Sequence, residues 1–317
     1  MILSILIPNY GFSELTIRCL ESIKSQPNNN EFEVLICDQS KPTDRQKITE
    51  FIGDISNFRL ITLEQPDVLI ARKTLIKHAH GDYIFYVDSD DYIETNFIAQ
   101  IIGAIKKLQF PDLIVTSYFL DKQNTSARIN DLFDINKDNF ETYFYCSDSV
   151  NTLWRKIFKR SLFDEKVISD LHSTNGDDWI ISLPIVKNAK IVYFEPDLCG
   201  YHYCLNDTSL THTMTLDRFK KSFSLKDQFT ISLTNIDYNL LFKSRMTKYL
   251  SFCIIHYREN KDRKIIKESF EFVRDDLFNT LKVPGKSIKG LKSKILYLLL
   301  RHNWFSSFFL IIKRAAR

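Results

Sequence analysis

The feature that most constrains the fold of this chain is a series of short apolar runs in its first ninety residues, each followed by a polar segment. The runs have the length of buried strands, and helical patterns separate them. They lie at 1–7, 32–37, 59–63 and 83–87. Alternating strands and helices predict an α/β fold with a mostly parallel sheet, which binds ligands at the carboxyl ends of its strands. Pro8, Asp38 and Asp88 each follow a strand and are expected to meet there.

The fourth run leads into closely spaced carboxylates. The segment at 81–91 reads Gly-Asp-Tyr-Ile-Phe-Tyr-Val-Asp-Ser-Asp-Asp. Asp88 and Asp90 would point to one side of an extended chain, and Asp91 adds an oxygen donor as the chain turns. Such carboxylates repel one another unless a cation lies between them, and Mg²⁺ or Mn²⁺ prefers oxygen ligands shared with substrate phosphates. The motif predicts a metal site for a nucleotide diphosphate. The alternative is a polar turn in which Ser89 or Asp90 caps a helix starting near Tyr92.

A second acidic pair, Asp177 and Asp178, precedes another helical pattern. The pair is a second candidate site. The alternative is that both acids stabilise a helix N-terminus.

Composition supports a folded globular protein. Among 317 residues, 44% are hydrophobic, and only 8 Gly and 8 Pro occur. That content is enough for a large core and argues against a linker-rich or repetitive architecture. The net charge is only +4, and the basic residues concentrate in an apolar C-terminal segment without a nucleic-acid motif. We therefore expect no nucleic-acid partner.

Several segments recur in the order of a known family. They are Ser-Ile-Leu-Ile-Pro-Asn-Tyr from Ser4, Cys-Leu-Glu-Ser-Ile from Cys19, Glu-Val-Leu-Ile-Cys-Asp-Gln-Ser from Glu33, Ala71-Arg72, Gly-Asp-Tyr-Ile from Gly81 and Asp-Ser-Asp-Asp from Asp88. The chain resembles the family 2 glycosyltransferases over about its first hundred residues. The resemblance implies a GT-A fold, a nucleotide-sugar donor, most simply a UDP-sugar, a divalent metal (Mn²⁺ or Mg²⁺) and inversion at the anomeric carbon.

The resemblance also implies residue roles. The nucleotide-sugar site would contain Pro8, Tyr10, Asp38, Arg72, Asp88 and Ser89. The metal would be held by Asp88, Asp90, Asp91 and His212. Asp178 would be the general base, with Asp177 beside it where Glu is more usual in the family. The family commonly has Asn where this chain has Gly11, and a Gly within the segment at 65–69, so the donor loop departs from the pattern.

The C-terminal third is expected to be a helical extension. The sequence indicates a catalytic domain at 1–215, with a nucleotide-sugar half at 1–105 and an acceptor half at 106–215, followed by a helical region at 216–317. No acidic residue follows Asp276, while basic and apolar residues alternate in blocks. This pattern is typical of a helix lying on an anionic membrane surface. The alternatives are a helical cap on the catalytic domain or a homodimer interface.

Together these observations predict an enzyme that transfers a sugar from a UDP-sugar to a hydroxyl of a saccharide acceptor. A polyprenyl-diphosphate-linked acceptor in capsule or O-antigen synthesis is expected by analogy. A cytoplasmic location is expected because the N-terminus lacks the pattern of a secretion signal. The basic, apolar C-terminal segment adds the expectation of a peripheral position on the inner face of the plasma membrane. Two alternatives stay open: a non-catalytic sugar-nucleotide-binding or assembly protein, and a metal-dependent nucleotidyltransferase.

Overall fold

The computed structural model describes residues 1–27, 30–122, 125–148, 150–169, 176–205, 215–230 and 236–316. The chain forms two compact units. The first contains both acidic motifs predicted to form the active site and is therefore called the catalytic unit; it consists of Met1–Asn139 and Asn151–Asp207. The second, here the helical unit, contains Phe140–Val150 and Thr208–Arg317. The boundaries expected from the sequence, 1–215 and 216–317, differ by including 140–150 and 208–215 in the catalytic part, and they stay a prediction.

The described residues form nine strands and eleven α-helices. The strands are β1 (Leu3–Asn9), β2 (Phe32–Asp38), β3 (Phe58–Thr62), β4 (Tyr83–Tyr86), β5 (Tyr92–Ile93), β6 (Leu113–Lys122), β7 (Thr125–Ile129), β8 (Lys156–Lys159) and β9 (Val192–Leu205). The helices are α1 (Glu14–Lys24), α2 (Pro42–Ile52), α3 (Val68–His78), α4 (Phe97–Lys107), α5 (Phe140–Cys146), α6 (Asp177–Asn188), α7 (Leu216–Thr230), α8 (Tyr238–Asn260), α9 (Arg263–Asp275), α10 (Leu291–Arg301) and α11 (Phe305–Ala315).

All nine strands of the described chain belong to one sheet, in the order β3-β2-β1-β4-β8-β6-β9-β5, with β7 paired to β6. The pairs β3-β2, β2-β1 and β1-β4 are parallel, and so is β6-β9. The strand β8 runs antiparallel to both of its neighbours. The register pairs Asn9 with Asp38, so β1 and β2 end side by side. The predicted α/β fold with a mostly parallel sheet and a helical C-terminal region is confirmed.

Burial explains why the first strands are continuous apolar runs. Every residue of β1, β2 and β4 is buried. Helices cover both faces of such a sheet, so neither face needs polar side chains. Ser4 and Glu33 are polar residues inside these strands, and the Ser4 hydroxyl donates a 2.7 Å hydrogen bond to the Glu33 carboxylate. The core therefore accommodates them as a bonded pair.

The helix α3 ends at His78, before Gly81. Ala79, in an extended conformation, follows the last residue of α3. Gly81 instead lies against β1, where a Cβ atom would come within 2.6 Å of the Ser4 backbone nitrogen. The Gly81 N–H donates to the Ser4 hydroxyl at 2.8 Å. Glycine is required here for close approach of two backbones.

The segment after the acidic motif forms a strand and not a helix. Tyr92 and Ile93 form the short strand β5, antiparallel to β9, and α4 begins only at Phe97. Asn96 precedes that helix. The alternative in which Ser89 or Asp90 caps a helix at Tyr92 is therefore wrong. The polar stretch at 121–139 begins with the β6-β7 hairpin.

The described part of the helical unit contains α5 and α7 to α11, with a π-helical turn (Asp276–Thr280) after α9. Its core includes aromatic contacts between helices, such as Phe219 of α7 stacked on Phe252 of α8 at 4.4 Å. Tyr249 of α8 stacks on Phe308 of α11 at 5.1 Å. No helix within the described ranges is both long enough and apolar enough to cross a membrane.

Candidate active site

The predicted metal motif forms a turn directly after β4. The backbone N–H of Asp91 donates to the carbonyl of Asp88 at 3.1 Å, so the chain is not extended here as the spacing of Asp88 and Asp90 suggested. Asp88, Ser89 and Asp90 are half-buried. Because β4 lies beside β1 in parallel, this turn is at the same edge as the ends of β1 and β2. The polar ends of the strands meet as predicted.

Asp91 is part of the protein interior. Its side chain is 1% exposed and accepts hydrogen bonds from the Tyr201 hydroxyl at 2.6 Å and from the Cys204 N–H at 2.8 Å. Burial raises the pKa of Asp91 well above its usual value, and the charges of Asp88 and Asp90 raise it further. Asp91 is almost inaccessible and both of its oxygens have protein partners, so the geometry favours Asp91 as an anchor between the turn and β9 over its predicted role as a metal ligand.

An aromatic layer supports the turn. Tyr201 accepts a hydrogen bond from the Asp88 N–H at 3.2 Å while it donates to Asp91. Trp154 stacks on Tyr201 at 4.7 Å with an interplanar angle of 7°. The packing of Trp154 on Tyr201 therefore positions the acidic turn.

Arg18 is a site residue that sequence reasoning missed. From α1, its guanidinium donates a 3.0 Å hydrogen bond to the carbonyl of Asp90 and lies 4.6 Å from the Tyr92 ring centroid. A second 3.0 Å contact reaches the sulfur of Cys204. The only sequence signal was a basic residue one position before the recognisable segment at Cys19, which alone does not indicate a role.

Arg72 connects the two acidic segments. Its guanidinium lies 2.9 Å from the Asp88 carboxylate and 2.7 Å from that of Asp177, and it also contacts Asp178. The side chain comes from α3 and is only 5% exposed. Tyr86 donates a hydrogen bond to the Arg72 carbonyl at 2.7 Å, which ties this residue to β4. The two aspartate clusters, distant in sequence, thus contact the same guanidinium group.

The charges around Arg72 perturb one another. Burial alone would lower the pKa of Arg72, but the carboxylates of Asp177 and Asp88 outweigh it and raise the value. Burial raises the pKa of Asp88, and Asp90 and Asp177 add to this, while Arg72 opposes it. Three or more carboxylates near one guanidinium leave an excess of negative charge, which is the condition under which a divalent cation is favoured.

The helix α6 positions the second acidic pair. Gly176, with φ of 96°, precedes the helix, and Asp177 and Asp178 lie in its first turn. A carboxylate in this position interacts favourably with the helix dipole. Asp178 also accepts a 3.3 Å hydrogen bond from the Leu153 N–H. The helix-end alternative and the catalytic interpretation are therefore compatible, because the same position that stabilises α6 also directs the pair toward Arg72.

The predicted nucleoside residues lie at the ends of β1 and β2. Pro8 is buried within β1, whereas the Tyr10 side chain is 64% exposed. Asp38 is fully buried and accepts from Asn9 at 2.9 Å and from Arg45 at 3.2 Å. Ser40 also donates to Asp38, at 2.5 Å. The Asp38 carboxylate thus already has protein partners, and its predicted contact with a base stays a prediction.

Two histidines, His202 and His212, lie near one another in the sequence. His212, predicted as a metal ligand, lies outside the described residues. His202 stacks between Tyr92 and Phe119 and lies 3.1 Å from the Asp121 carboxylate. The His202 side chain is therefore held by aromatic packing and by a carboxylate of the protein. Within the described ranges no group of three or more His, Cys, Asp or Glu side chains has the arrangement of a metal site.

Known proteins resemble this chain in sequence. GlyA, a glycosyltransferase of Streptococcus pneumoniae serotype 4, is 24% identical over 225 residues, covering 67% of this chain and 32% of GlyA. TarP, a poly(ribitol-phosphate) beta-N-acetylglucosaminyltransferase of Staphylococcus aureus N315, is 20% identical over 254 residues, covering 77% of this chain and 73% of TarP. The chain thus spans about a third of the length of GlyA but most of TarP.

Solved structures share the fold. The crystal structure of S. aureus TarS 1-349 in complex with UDP has a TM-score of 0.69 at 16% identity, covering 100% of this chain and 92% of that chain. The complex with UDP-GlcNAc has a TM-score of 0.68 at 18% identity, covering 90% and 83%. The model of the family described as glycosyl transferase family 2 matches residues 4–166, more than half of the chain. The chain therefore belongs to glycosyl transferase family 2.

Proposed function

We propose that this glycosyltransferase moves a sugar from a UDP-sugar to a hydroxyl of a bacterial surface polymer, with inversion at the anomeric carbon and with Mn²⁺ or Mg²⁺. Family membership supports sugar transfer, and the TarS complexes with UDP and UDP-GlcNAc support a uridine nucleotide. TarP, and a poly(ribitol-phosphate) beta-glucosyltransferase of Bacillus spizizenii that is 28% identical, support a polymer acceptor. If the reaction takes place on an intermediate of polymer synthesis, the expected acceptor is a lipid-linked saccharide.

One observation carries the proposal: Arg72 contacts Asp88 of the first acidic segment and both Asp177 and Asp178 of the second. Glycosyl transfer requires a group that stabilises the leaving diphosphate and another that removes the acceptor proton. Both must act on the same sugar. The convergence at Arg72 satisfies this requirement, since it brings the candidates for the two tasks to one place at the carboxyl edge of the sheet.

Asp88 and Asp90 are the residues that fit a divalent cation. Both side chains are half-buried and supply oxygen. Burial raises the pKa of Asp88, the neighbouring carboxylates raise it further, and a bound cation would relieve the repulsion among these carboxylates. Two protein carboxylates suffice because Mg²⁺ is usually completed by water and substrate phosphates. When bound, the metal would neutralise charge on the departing diphosphate. Arg18 and Tyr201 hold the backbone of this turn in place.

Asp178 is the proposed general base. Its two oxygens contact Arg72 and the Leu153 N–H, which fix the orientation of the carboxylate. A carboxylate held on the side of the sugar opposite the diphosphate removes the proton from the attacking hydroxyl, and direct attack from that side inverts the anomeric carbon. Asp177 shares Arg72 and supports this orientation. The exposed ring of Tyr10 is available for contact with the nucleoside.

The test is a screen of UDP- and GDP-sugars with Mn²⁺, with and without a polyprenyl-linked acceptor, using release of the nucleotide as the readout. We expect UDP release that depends on acceptor. Asp178→Asn should lower the rate about 10²- to 10⁴-fold, the usual contribution of a positioned base, while calorimetry shows unchanged UDP binding. Asp54→Asn, an exposed acid in the same unit, is the matched control and should keep full activity.

The outcomes separate the alternatives. Pyrophosphate in place of UDP as the product would indicate a nucleotidyltransferase. Binding of UDP with no turnover by any donor, and no difference between Asp178→Asn and the original chain, would indicate a sugar-nucleotide-binding protein. An active Asp178→Asn variant would contradict the assignment of the base.

A further inference from the structure

The helix α10 presents an apolar stripe away from the protein. Leu291, Ile295 and Leu298 are 76%, 45% and 46% exposed. Their spacing of four and three residues places them on one face of the helix. Leu299 and Leu300 are buried and belong to the face packed on the helical unit. The helix therefore has two apolar faces, and its own unit covers only one of them.

Basic residues border this stripe. Lys292 and Lys294 lie within α10 and are exposed, and Arg301 is the last residue of the helix. Lys286 and Lys289 immediately precede it and are exposed as well. The sequence from 277 to 317 contains nine Lys and Arg residues and no acidic residue. Any partner that covers the stripe must therefore accept a uniformly positive border.

Trp304, between α10 and α11, adds an amphipathic ring. Its side chain is 55% exposed. The other two tryptophans, Trp154 and Trp179, are buried in the catalytic unit. Exposed tryptophan is favoured at the level of lipid headgroups, where its ring contacts acyl chains and its N–H remains hydrated.

We propose that α10 and Trp304 form a docking surface for an anionic lipid bilayer. Leu291, Ile295 and Leu298 would enter the interfacial region with the helix lying in the membrane plane, while the lysines contact acidic headgroups. Charge complementarity selects this partner over a second copy of the chain. In a twofold dimer the same patch faces itself, so Lys292 and Lys294 would approach their own copies and repel them.

The surface is independent of the proposed chemistry. Every residue that forms it belongs to the helical unit, whereas Asp88, Arg72 and Asp178 belong to the catalytic unit. Membrane binding therefore can fail without affecting UDP-sugar transfer, and transfer can fail without affecting membrane binding. The two experiments test separate statements.

The test is sedimentation of the full chain with phosphatidylcholine vesicles that contain no or 30 mol% (about a third) phosphatidylglycerol, at low and high salt. We expect binding to the anionic vesicles only, weakened by salt. Because Trp304 is the exposed tryptophan, brominated lipids should quench its fluorescence on binding, and Trp304→Phe should remove that quenching. Absence of binding to anionic vesicles at low salt would overturn the proposal.

Two variants separate the apolar and electrostatic contributions. Ile295→Ser with Leu298→Ser should weaken vesicle binding on the order of a hundredfold, since each lost aliphatic contact is worth roughly tenfold. Lys292→Gln with Lys294→Gln should weaken it roughly 25-fold, the effect of two basic residues near an anionic surface.

The controls carry the same kinds of change elsewhere. Phe133→Ser with Ile191→Ser replaces two exposed apolar side chains of the catalytic unit, and Lys187→Gln with Lys190→Gln replaces two exposed lysines there. Both should bind vesicles as the original chain does. Equal loss in variants and controls would overturn the proposal. A dimer in analytical ultracentrifugation that Leu298→Ser dissociates would also overturn it and assign the stripe to a second copy.

Discussion

Arg72 lies among three carboxylates, and its charge allows the two acidic segments to share one region. Replacing one guanidinium by a neutral group would leave buried or half-buried anions without compensation, which costs several kcal/mol in general. The resemblance to the family placed Arg72 in the nucleoside pocket, whereas its contacts are with Asp88, Asp177 and Asp178. Sequence reasoning could not find these contacts because they join residues from α3, the turn after β4 and α6.

Asp91 provides a test of which carboxylates hold a metal. Its two oxygens accept hydrogen bonds from the Tyr201 hydroxyl and the Cys204 N–H. Because asparagine has only one oxygen to accept them, Asp91→Asn should lose one buried hydrogen bond and lower the free energy of unfolding by about 1–3 kcal/mol. Mn²⁺-dependent UDP binding should change only a few-fold (about half a kcal/mol or less). Urea unfolding and calorimetry measure the two effects.

Asp88→Asn and Asp90→Asn are the comparison. Each should weaken Mn²⁺-dependent UDP binding by more than about tenfold, because each removes a charged oxygen from the metal, equivalent to about 1.4 kcal/mol. An Asp91→Asn variant that loses metal affinity as strongly as these two would show that Asp91 is a ligand. The anchoring role would then be wrong.

At the scale of elements, the sequence predicted what burial dictates and missed what long-range pairing dictates. The strands β1, β2 and β4 were predictable because both of their faces are buried, which requires unbroken apolar runs. Tyr92 and Ile93 would begin a helix under the alternative interpretation of the acidic motif. They form β5 instead, since they pair with Tyr201 and His202 of β9, more than a hundred positions away.

The lack of a side chain at Gly81 allows the chain before β4 to approach β1 closely. In Gly81→Ala the added Cβ would lie 2.6 Å from the Ser4 nitrogen and 2.7 Å from the Leu3 carbonyl carbon. Backbone atoms within a sheet cannot move aside as a flexible side chain can. We expect the free energy of unfolding to fall by about 1–3 kcal/mol, as measured in urea.

Gly103→Ala is the matched control. Gly103 lies within α4, and nothing is within 4 Å of the position of its added Cβ. Alanine there should stabilise the protein by about 0.5–1 kcal/mol because it favours the helix. Equal effects of the two substitutions would contradict the close-approach explanation for Gly81.

At the scale of the whole molecule, the division into units does not follow the order of the sequence. The segment 140–150 interrupts the catalytic unit but belongs to the helical unit. Its helix α5 packs on α7 and α8. Phe140, Phe144 and Tyr145 of α5 are buried. The boundary predicted from the sequence, at 215, places this helix in the catalytic domain, because nothing local to α5 indicates that its partners lie seventy or more positions further along the chain.

This organisation predicts the behaviour of a truncated chain. A protein ending at Asp207 would keep α5 but lose the helices against which Phe140, Phe144 and Tyr145 pack, so it should expose apolar surface, bind a hydrophobic dye and aggregate. Replacing 140–150 in that truncated chain by a Gly/Ser segment of equal length should restore a monomer that binds little dye, as light scattering and dye fluorescence would show. If the two truncated chains were equally monomeric and equally free of dye, α5 would not need the helical unit. The boundary at 215 would then describe the catalytic domain better than the division seen in the structure, because this domain would fold with α5 and without the helices that α5 contacts.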